Sequence, residues 1–399
     1  MLDTPKANRL HIAIFGKRNA GKSSLINAIT GQEIALVSEY AGTTTDPVYK
    51  AMELLPIGPV VMIDTAGLDD EGEIGELRVK KTKEVMDKTD LALLVFTPDT
   101  SKLSLEQEWY SELKERNIPV IGVVNRIDED DVNLEALRAD FDMPFIKVSA
   151  KDRTNIGKLK EAIQTNAPMD FERPTIVGDI IKPKDLVVLV APQDIQAPKG
   201  RLILPQVQII RDVLDNDGLA LTVKTTELED ILKALNRKPD LVITDSQVFH
   251  KVSKIVPEDV PLTSFSILMA RYKGELSSFS KGAKAIDDLK PGDKVLIAEA
   301  CTHHALQGDI GREKMPNWLE EKAGGKLDIT INAGVDFPED LSGYKLIVHC
   351  GSCMFNRKQL MTRVIRAMEQ NVPITNYGTA IAYMNGILDR TINMFEEIK

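Results

Sequence analysis

The stretch Leu10-His-Ile-Ala-Ile-Phe-Gly16-Lys-Arg-Asn-Ala-Gly21-Lys22-Ser23-Ser24 decides the architecture of this 399-residue chain. An apolar run stops at Gly16, a short loop follows, and Leu25-Ile-Asn-Ala-Ile29 then carries the apolar spacing of a helix. Strand, glycine loop and helix in that order make a P-loop. The two glycines let backbone N–H groups close around phosphate oxygens, Lys22 reaches the β and γ oxygens, and the Ser23 hydroxyl can ligate magnesium. Asn19, Ala20 and Ser24 complete the loop's contacts with a nucleotide.

Four further segments follow in the order such a domain requires. Val60-Val-Met-Ile63 runs into Asp64-Thr65-Ala66-Gly67, where Asp64 is expected to hold magnesium and the Gly67 N–H to sense the γ-phosphate. Between this and the P-loop, Gly42-Thr43-Thr44-Thr45-Asp46 offers hydroxyls for the same ion, with Thr44 as the expected ligand. Asn125-Arg126-Ile127-Asp128 follows the run Val120-Ile-Gly-Val-Val124, and Ser149-Ala150-Lys151 follows Pro144-Phe-Ile-Lys-Val148. Asp128 can accept from the N1 and N2 donors of guanine. A base lacking them would leave the carboxylate unpaired, a loss of roughly 10⁴-fold where such a site is well built. The expected nucleotide is therefore GTP with Mg2+.

On these motifs residues 1–170 resemble the TrmE-Era-EngA-like GTPases. Asn19 stands where potassium-activated members of that group help to ligate K+, and Leu68 stands where Ras-like enzymes carry the glutamine that orients water. The resemblance implies slow turnover, with K+ placing positive charge where the transition state gathers negative charge. The sequence departs from the group at Arg126, where most GTPases have lysine; a planar guanidinium can still stack on a base.

The other distinctive segment lies near the opposite end. All three cysteines and three of the five histidines fall between Cys301 and Cys353, as Cys301-Thr302-His303-His304 and His349-Cys350-Gly351-Ser352-Cys353. Thiols placed beside imidazoles in two short segments point to a metal or cluster. Three cysteines with His303 or His349 would complete a tetrahedral zinc site. The cysteines alone would hold three corners of a 4Fe–4S cluster, and composition leaves both open. A Cys350–Cys353 redox pair explains neither Cys301 nor the histidines, and an odd count of cysteines defeats a disulfide framework. His250 and His304 are read as ordinary polar residues.

Strand placement brings the two segments together. Lys294–Ala300 and Tyr344–Val348 read as short buried strands ending at Cys301 and His349, and parallel α/β sheets bind ligands outside such ends. A third strand, Val372–Thr375, would place Asn376 and Tyr377 at the same crevice, with capping the blander role for Asn376. Met361 and Met368, seven apart on a helix over 358–369, have the spacing of core residues.

With both ends read, nearly the whole chain resembles the FeFe-hydrogenase maturation GTPases, in which a TrmE-like domain precedes Cys-x-His and a distant His-Cys-x-x-Cys. The resemblance implies a 4Fe–4S-carrying scaffold that receives a diiron precursor from radical-SAM maturases and delivers it to apo-FeFe-hydrogenase. It implies Cys301, Cys350 and Cys353 as cluster ligands, with His303 and His349 ligating weakly, exchangeably or only standing around the cluster. The alternative is a GTPase with a structural zinc domain that serves ribosome or RNA-modification assembly.

The expected fold class is α/β: a P-loop GTPase domain over 1–170, then two smaller α/β domains with largely parallel sheets over 175–263 and 264–399. Proline and charge in Ala167-Pro-Met-Asp-Phe-Glu-Arg-Pro174 mark a linker after the first domain. The middle domain shows no catalytic constellation and reads as an assembly domain, for which the resemblance implies a homodimer. Lys199-Gly200-Arg201 is a candidate phosphate contact, more simply a solvated turn. A net charge of −10 argues against a nucleic-acid surface. The polar N-terminus and the lack of a long apolar run predict no membrane contact and a cytoplasmic protein.

Overall fold

A computed structural model describes residues 9–31, 47–54, 57–65, 81–130, 132–168, 175–192, 202–300 and 309–395. The chain divides into two compact units, Met1–Phe171 and Glu172–Lys399.

The first unit is built on one six-stranded sheet. Its strands are β1 (Leu10–Gly16), β2 (Val48–Leu54), β3 (Gly58–Asp64), β4 (Leu91–Phe96), β5 (Val120–Val124) and β6 (Phe145–Lys147). They lie in the order β2-β3-β1-β4-β5-β6, all parallel except for the antiparallel β2–β3 pair. β1 and β4 are buried along their whole length because helices cover both faces of the sheet, which is why they read as unbroken apolar runs. The alternation of Cβ direction sends Leu10, Ile12 and Ile14 into one core with Leu25, Ile29 and Leu159. Ala13 and Phe15 enter another with Trp109 and Leu113. The edge strand β2 alternates in burial, and neither it nor β4 stood out in the sequence.

The second unit holds two four-stranded sheets, both wholly parallel. One comprises β7 (Leu186–Val190), β8 (Leu219–Val223), β9 (Leu241–Thr244) and β10 (Leu262–Ser264) in the order β10-β9-β7-β8. The other comprises β11 (Lys294–Glu299), β12 (Asp328–Ala333), β13 (Leu346–His349) and β14 (Ile374–Asn376) in the order β12-β11-β13-β14. A single apolar core contains residues of both sheets, Val187, Leu189 and Ile243 with Val295, Ile297 and Val348. The helix Phe265–Lys273 lies within it, almost every residue buried.

One expectation is corrected. Met368 is 53% exposed, and the buried face of the helix Arg357–Glu369 is Leu360, Arg363, Val364 and Ala367 instead. The apolar stripe at 360, 364 and 367 wins the sheet-facing side, and Met368 falls one position beyond it.

Candidate functional site

The nucleotide motifs meet at the carboxyl ends of β1, β3 and β5. Gly21 caps the helix Lys22–Thr30 at φ +85°, and a Cβ there would collide with the Asn125 side-chain nitrogen. Left-handed backbone and close approach thus both demand glycine. Lys22 Nζ donates to the carbonyls of Gly16 (2.8 Å) and Lys17 (2.9 Å), so the amine is folded over the loop where phosphate oxygens would lie. Ser24 sits in the first turn of the same helix. Ser23 Oγ donates to Asp64 Oδ2 at 2.6 Å, joining the two expected magnesium residues. Burial pushes the Asp64 carboxyl up, while the Ser23 hydrogen bond and the charges of Lys22 and Lys50 oppose it. The hydroxyl of Thr65, next in the motif, donates to Ile14 O at 2.6 Å and locks the end of β3 to β1.

Asn125 ties the loops together. Its amide nitrogen donates to Ala20 O (3.0 Å) and its oxygen accepts from Ala150 N–H (3.0 Å), so one buried side chain joins the P-loop to Ser149-Ala150-Lys151. Arg126, at φ +65°, donates from NH2 to Asn19 O at 2.6 Å, and Asn19 itself lies at φ +60° with its side chain exposed. The arginine that departs from the usual lysine therefore braces the residue expected at K+. Asp128 is held below the usual carboxylate range, first by a hydrogen bond from Ser149. Lys151 Nζ lies 4.0 Å from it. It stays ionised, as an acceptor for guanine N–H groups must. Thr44, Gly67 and Leu68 lie outside the described residues.

Two contacts escaped the sequence reading. Lys17 pairs with the buried Glu106 at 2.9 Å, and Lys50 on β2 is buried with no hydrogen bond at Nζ from among the described residues. Neither belongs to a motif.

The second site lies at the ends of β11 and β13. These strands pair in register Ala298↔His349, and Cys350 N–H donates to Ala298 O at 2.9 Å. Cys350 Sγ accepts from Ala300 N–H (3.0 Å) and Ser352 N–H (3.5 Å). N–H donors directed at sulfur favour thiolate and are a recurrent device around metal-bound cysteine. Ala300 is the residue before Cys301 in the sequence. Cys301, His303 and His304 lie outside the described residues, as does Lys199-Gly200-Arg201. Among the described residues no group of three His, Cys, Asp or Glu side chains surrounds a metal position.

His349 is fully buried and held from both sides. Arg363 NH1 lies 3.0 Å from Nε2, and a guanidinium can only donate, so Nε2 accepts and Nδ1 carries the proton. Nδ1 faces Cys350 O (3.1 Å) and Ser352 Oγ (3.1 Å). Burial, followed by the Arg363 charge, lowers its pKa to about 3. In this arrangement the ring is neutral and bonded within the protein at both nitrogens. Arg363 in turn is sandwiched 4.5 Å from the Phe355 ring and 4.7 Å from that of Phe337. Neither Arg363 nor Lys273, whose Nζ meets three carbonyls of this loop, was singled out from the sequence.

Asn376 caps the helix Tyr377–Met384, accepting from Thr379 N–H at 2.9 Å, and so serves backbone rather than crevice. Tyr377 stands with its hydroxyl beside Gly311. A Cβ at Gly311 would strike both its hydroxyl and Glu299 Oε1. Glu299, ending β11, is 1% exposed and pairs with Arg312 at 3.1 Å. Arg312 stands in a π-helical turn, Ile310–Lys314, immediately after the Cys301 segment. His250 is exposed at the mouth of a cavity lined also by Trp318 and Met384.

A P-loop GTPase unit followed by a double-sheet α/β unit with paired cysteines is the class that this fold and these sites define. Residues 11–126 match the 50S ribosome-binding GTPase family, residues 176–274 the hydrogen maturase F dimerization domain and residues 277–394 the hydrogen maturase F tetramerization domain. The two maturase domains together span more than half of the chain, and the chain belongs to the hydrogen maturase F family. Its first unit is a GTPase domain. It is 35% identical to the tRNA modification GTPase MnmE of Acinetobacter baumannii, over 42% of this chain and 37% of that protein. It is 32% identical to the GTPase Der of Sulfurimonas denitrificans, over 40% of this chain and 35% of that protein. The chain thus spans little more than a third of the length of these curated relatives. Era of Aquifex aeolicus, solved with GDP and aluminium fluoride, aligns with 57% of this chain and 98% of its own at 18% identity and a TM-score of 0.37.

Proposed function

We propose that this protein is a GTP-hydrolysing, 4Fe–4S-carrying scaffold that takes up a diiron precursor from radical-SAM maturases and hands it to apo-FeFe-hydrogenase in the cytoplasm. The observation that supports the reading most is Cys350 Sγ, which accepts from the N–H groups of Ala300, the residue before Cys301, and of Ser352, the residue before Cys353, at the carboxyl end of a parallel sheet. Cys301, Cys350 and Cys353 would hold the cluster, which supplies an iron that three cysteines leave open to a further ligand. The chain's own part is to keep both thiols of the His349–Phe355 loop in place and to shield them, through Arg363, His349 and the loop's internal bonds. Anaerobic reconstitution tests the reading. The protein should turn brown and bind about four iron and four sulfide. A colourless protein with one zinc would end it in favour of the assembly-factor alternative.

On the nucleotide side, Ser23 and Asp64 would hold Mg2+, Asn19 would supply a ligand to K+, and Asp128 would select guanine. Hydrolysis should be slow and faster in K+ than in Na+. Asn19→Ala should erase that difference while GTP affinity stays within about threefold, because Arg126 contacts the main chain of residue 19 and not its side chain. Equal wild-type rates in the two salts would reject the K+ role.

Oligomerisation is supported by the maturase dimerization and tetramerization matches, and a homodimer is the state proposed. β8 is an edge strand with Leu219 51% exposed, and Leu214 nearby on the helix Leu204–Asp215 is 54% exposed. Edge strands with exposed apolar side chains invite pairing with another chain. Among the described residues no helix is long and apolar enough to cross a membrane.

A further inference from the structure

The cysteine loop is fastened by a lysine that no motif contains. Lys273 is 2% exposed, and its Nζ donates to the carbonyls of Ser352 (3.2 Å), Cys353 (3.2 Å) and Phe355 (2.9 Å). Three carbonyls of one four-residue segment converge on one ammonium, so the segment can take few other shapes. Ser352, at its start, stands at φ +53°, a left-handed conformation that costs a non-glycine residue of order 1 kcal/mol or more and persists only where neighbours enforce it. Its hydroxyl is buried against His349 Nδ1.

The lysine comes from outside the domain that it fastens. It ends the helix Phe265–Lys273, which starts at the N-cap Ser264 on the last residue of β10; Ser264 Oγ accepts from Ile267 N–H at 3.2 Å. That helix falls within the dimerization match, whereas the loop falls within the tetramerization match. Two residues before Lys273, the buried Arg271 pairs with Asp179 and covers the Phe395 ring at 4.8 Å, which fixes the last turn of the helix. A rigid rod thus joins the edge strand of one sheet to the cysteine loop at the end of the other.

We propose that Lys273 is a positioning residue for the metal centre, holding the Ser352–Phe355 turn in its left-handed form and setting a fixed positive charge behind the cysteines. The inference rests on the cluster reading above. Positive charge favours the more negative, reduced form of an iron–sulfur centre, and charge is one of the recognised determinants of its potential.

The test compares wild-type full-length protein with Lys273→Gln, which keeps one donor and removes the charge, and with Lys273→Arg, which keeps the charge and changes its shape. Two readouts are taken after circular dichroism has established folding. In metal-free protein, amide hydrogen exchange of the loop peptide should accelerate by at least about tenfold in Lys273→Gln, because local opening needs fewer bonds to break. In reconstituted protein the reduction midpoint, followed by electron paramagnetic resonance, should move negative in Lys273→Gln by about a tenfold change in the reduction equilibrium, 59 mV for one electron. Lys273→Arg should restore most of the midpoint. An unchanged value of either readout in Lys273→Gln overturns the assignment. If Lys273→Gln does not fold, Lys273→Arg carries the test, and wild-type exchange in it overturns the clamp. Wild-type protein that takes up no iron defeats the cluster reading itself, and the exchange comparison still decides the clamp.

Discussion

Cys350→Ala is expected to leave the protein without a stable cluster and its GTP hydrolysis within about twofold of wild type. Cys350 Sγ is the sulfur that both Ala300 N–H and Ser352 N–H address, so its removal takes away a ligand and strands two oriented donors at the site. A truncated thiolate cannot be replaced by the neighbouring imidazole, because His349 is occupied by Arg363 on one nitrogen and by the loop on the other. Hydrolysis should survive because the P-loop belongs to the other compact unit, which has its own cores on both faces of its sheet. The measurement is iron and sulfide per chain after anaerobic reconstitution, beside phosphate release under saturating GTP. Full iron and sulfide in the variant would remove Cys350 from the ligand set. Loss of hydrolysis together with the cluster would mean that the two units do not fold independently.

The second large effect is expected from Asn125→Ala. That side chain is bonded to both the phosphate loop at Ala20 and the base-recognition loop at Ala150, and it is buried. Deleting it leaves the Ala20 carbonyl and the Ala150 N–H without this partner, at about 1–3 kcal/mol for each group stranded away from water. It also opens space beside Gly21, where the Asn125 nitrogen now fills the position a Cβ would take. GTP affinity should fall by about 10- to 100-fold, since each 1.4 kcal/mol is a factor of ten. Binding of a fluorescent GTP analogue at fixed Mg2+ reads this directly. An affinity within twofold of wild type would show that the two loops are positioned independently. Asp128→Asn is the useful contrast: it should cut the preference for GTP over other purine nucleotides and leave the link from Asn125 to the P-loop intact.

The candidate residues for phosphate, magnesium and guanine were legible because each belongs to a short motif set directly after an apolar strand. Lys22 and Ser23 open a helix, Asp64 ends a strand, and Asn125 and Asp128 follow one, positions whose chemistry demands those residue types within a few residues. Strand periodicity likewise placed β5, β7 and β9 at their observed bounds, because a strand buried on both faces has to be apolar throughout, and the edge strand β8 was found by its run of apolar residues although most of it is not buried. The edge strand β2 was not legible, since alternation beside the glycine and proline of Pro56–Pro59 looks like loop.

At the cysteine site the division is sharper. The sequence by itself determined that Cys350 follows one buried strand and that Cys301 comes after another, and those two strands, β13 and β11, pair in parallel at the centre of one sheet. Only the tertiary structure shows what holds the His349 ring. Its neighbour in the motif is Cys350, but its ring partner Arg363 comes from a helix and lies between two aromatic rings, a contact without any local pattern. The same holds for Lys273, whose three acceptors are carbonyls; every residue has one, so sequence carries no mark of which carbonyls a buried ammonium will gather. Met368 shows the converse, where helical spacing suggested burial and the packing of Leu360, Val364 and Ala367 turned it to solvent. Local chemistry fixes what a residue can bind, while the assignment of distant partners waits for the sheets to pack, because only then is each polar atom either offered to water or forced to find a bond within the protein.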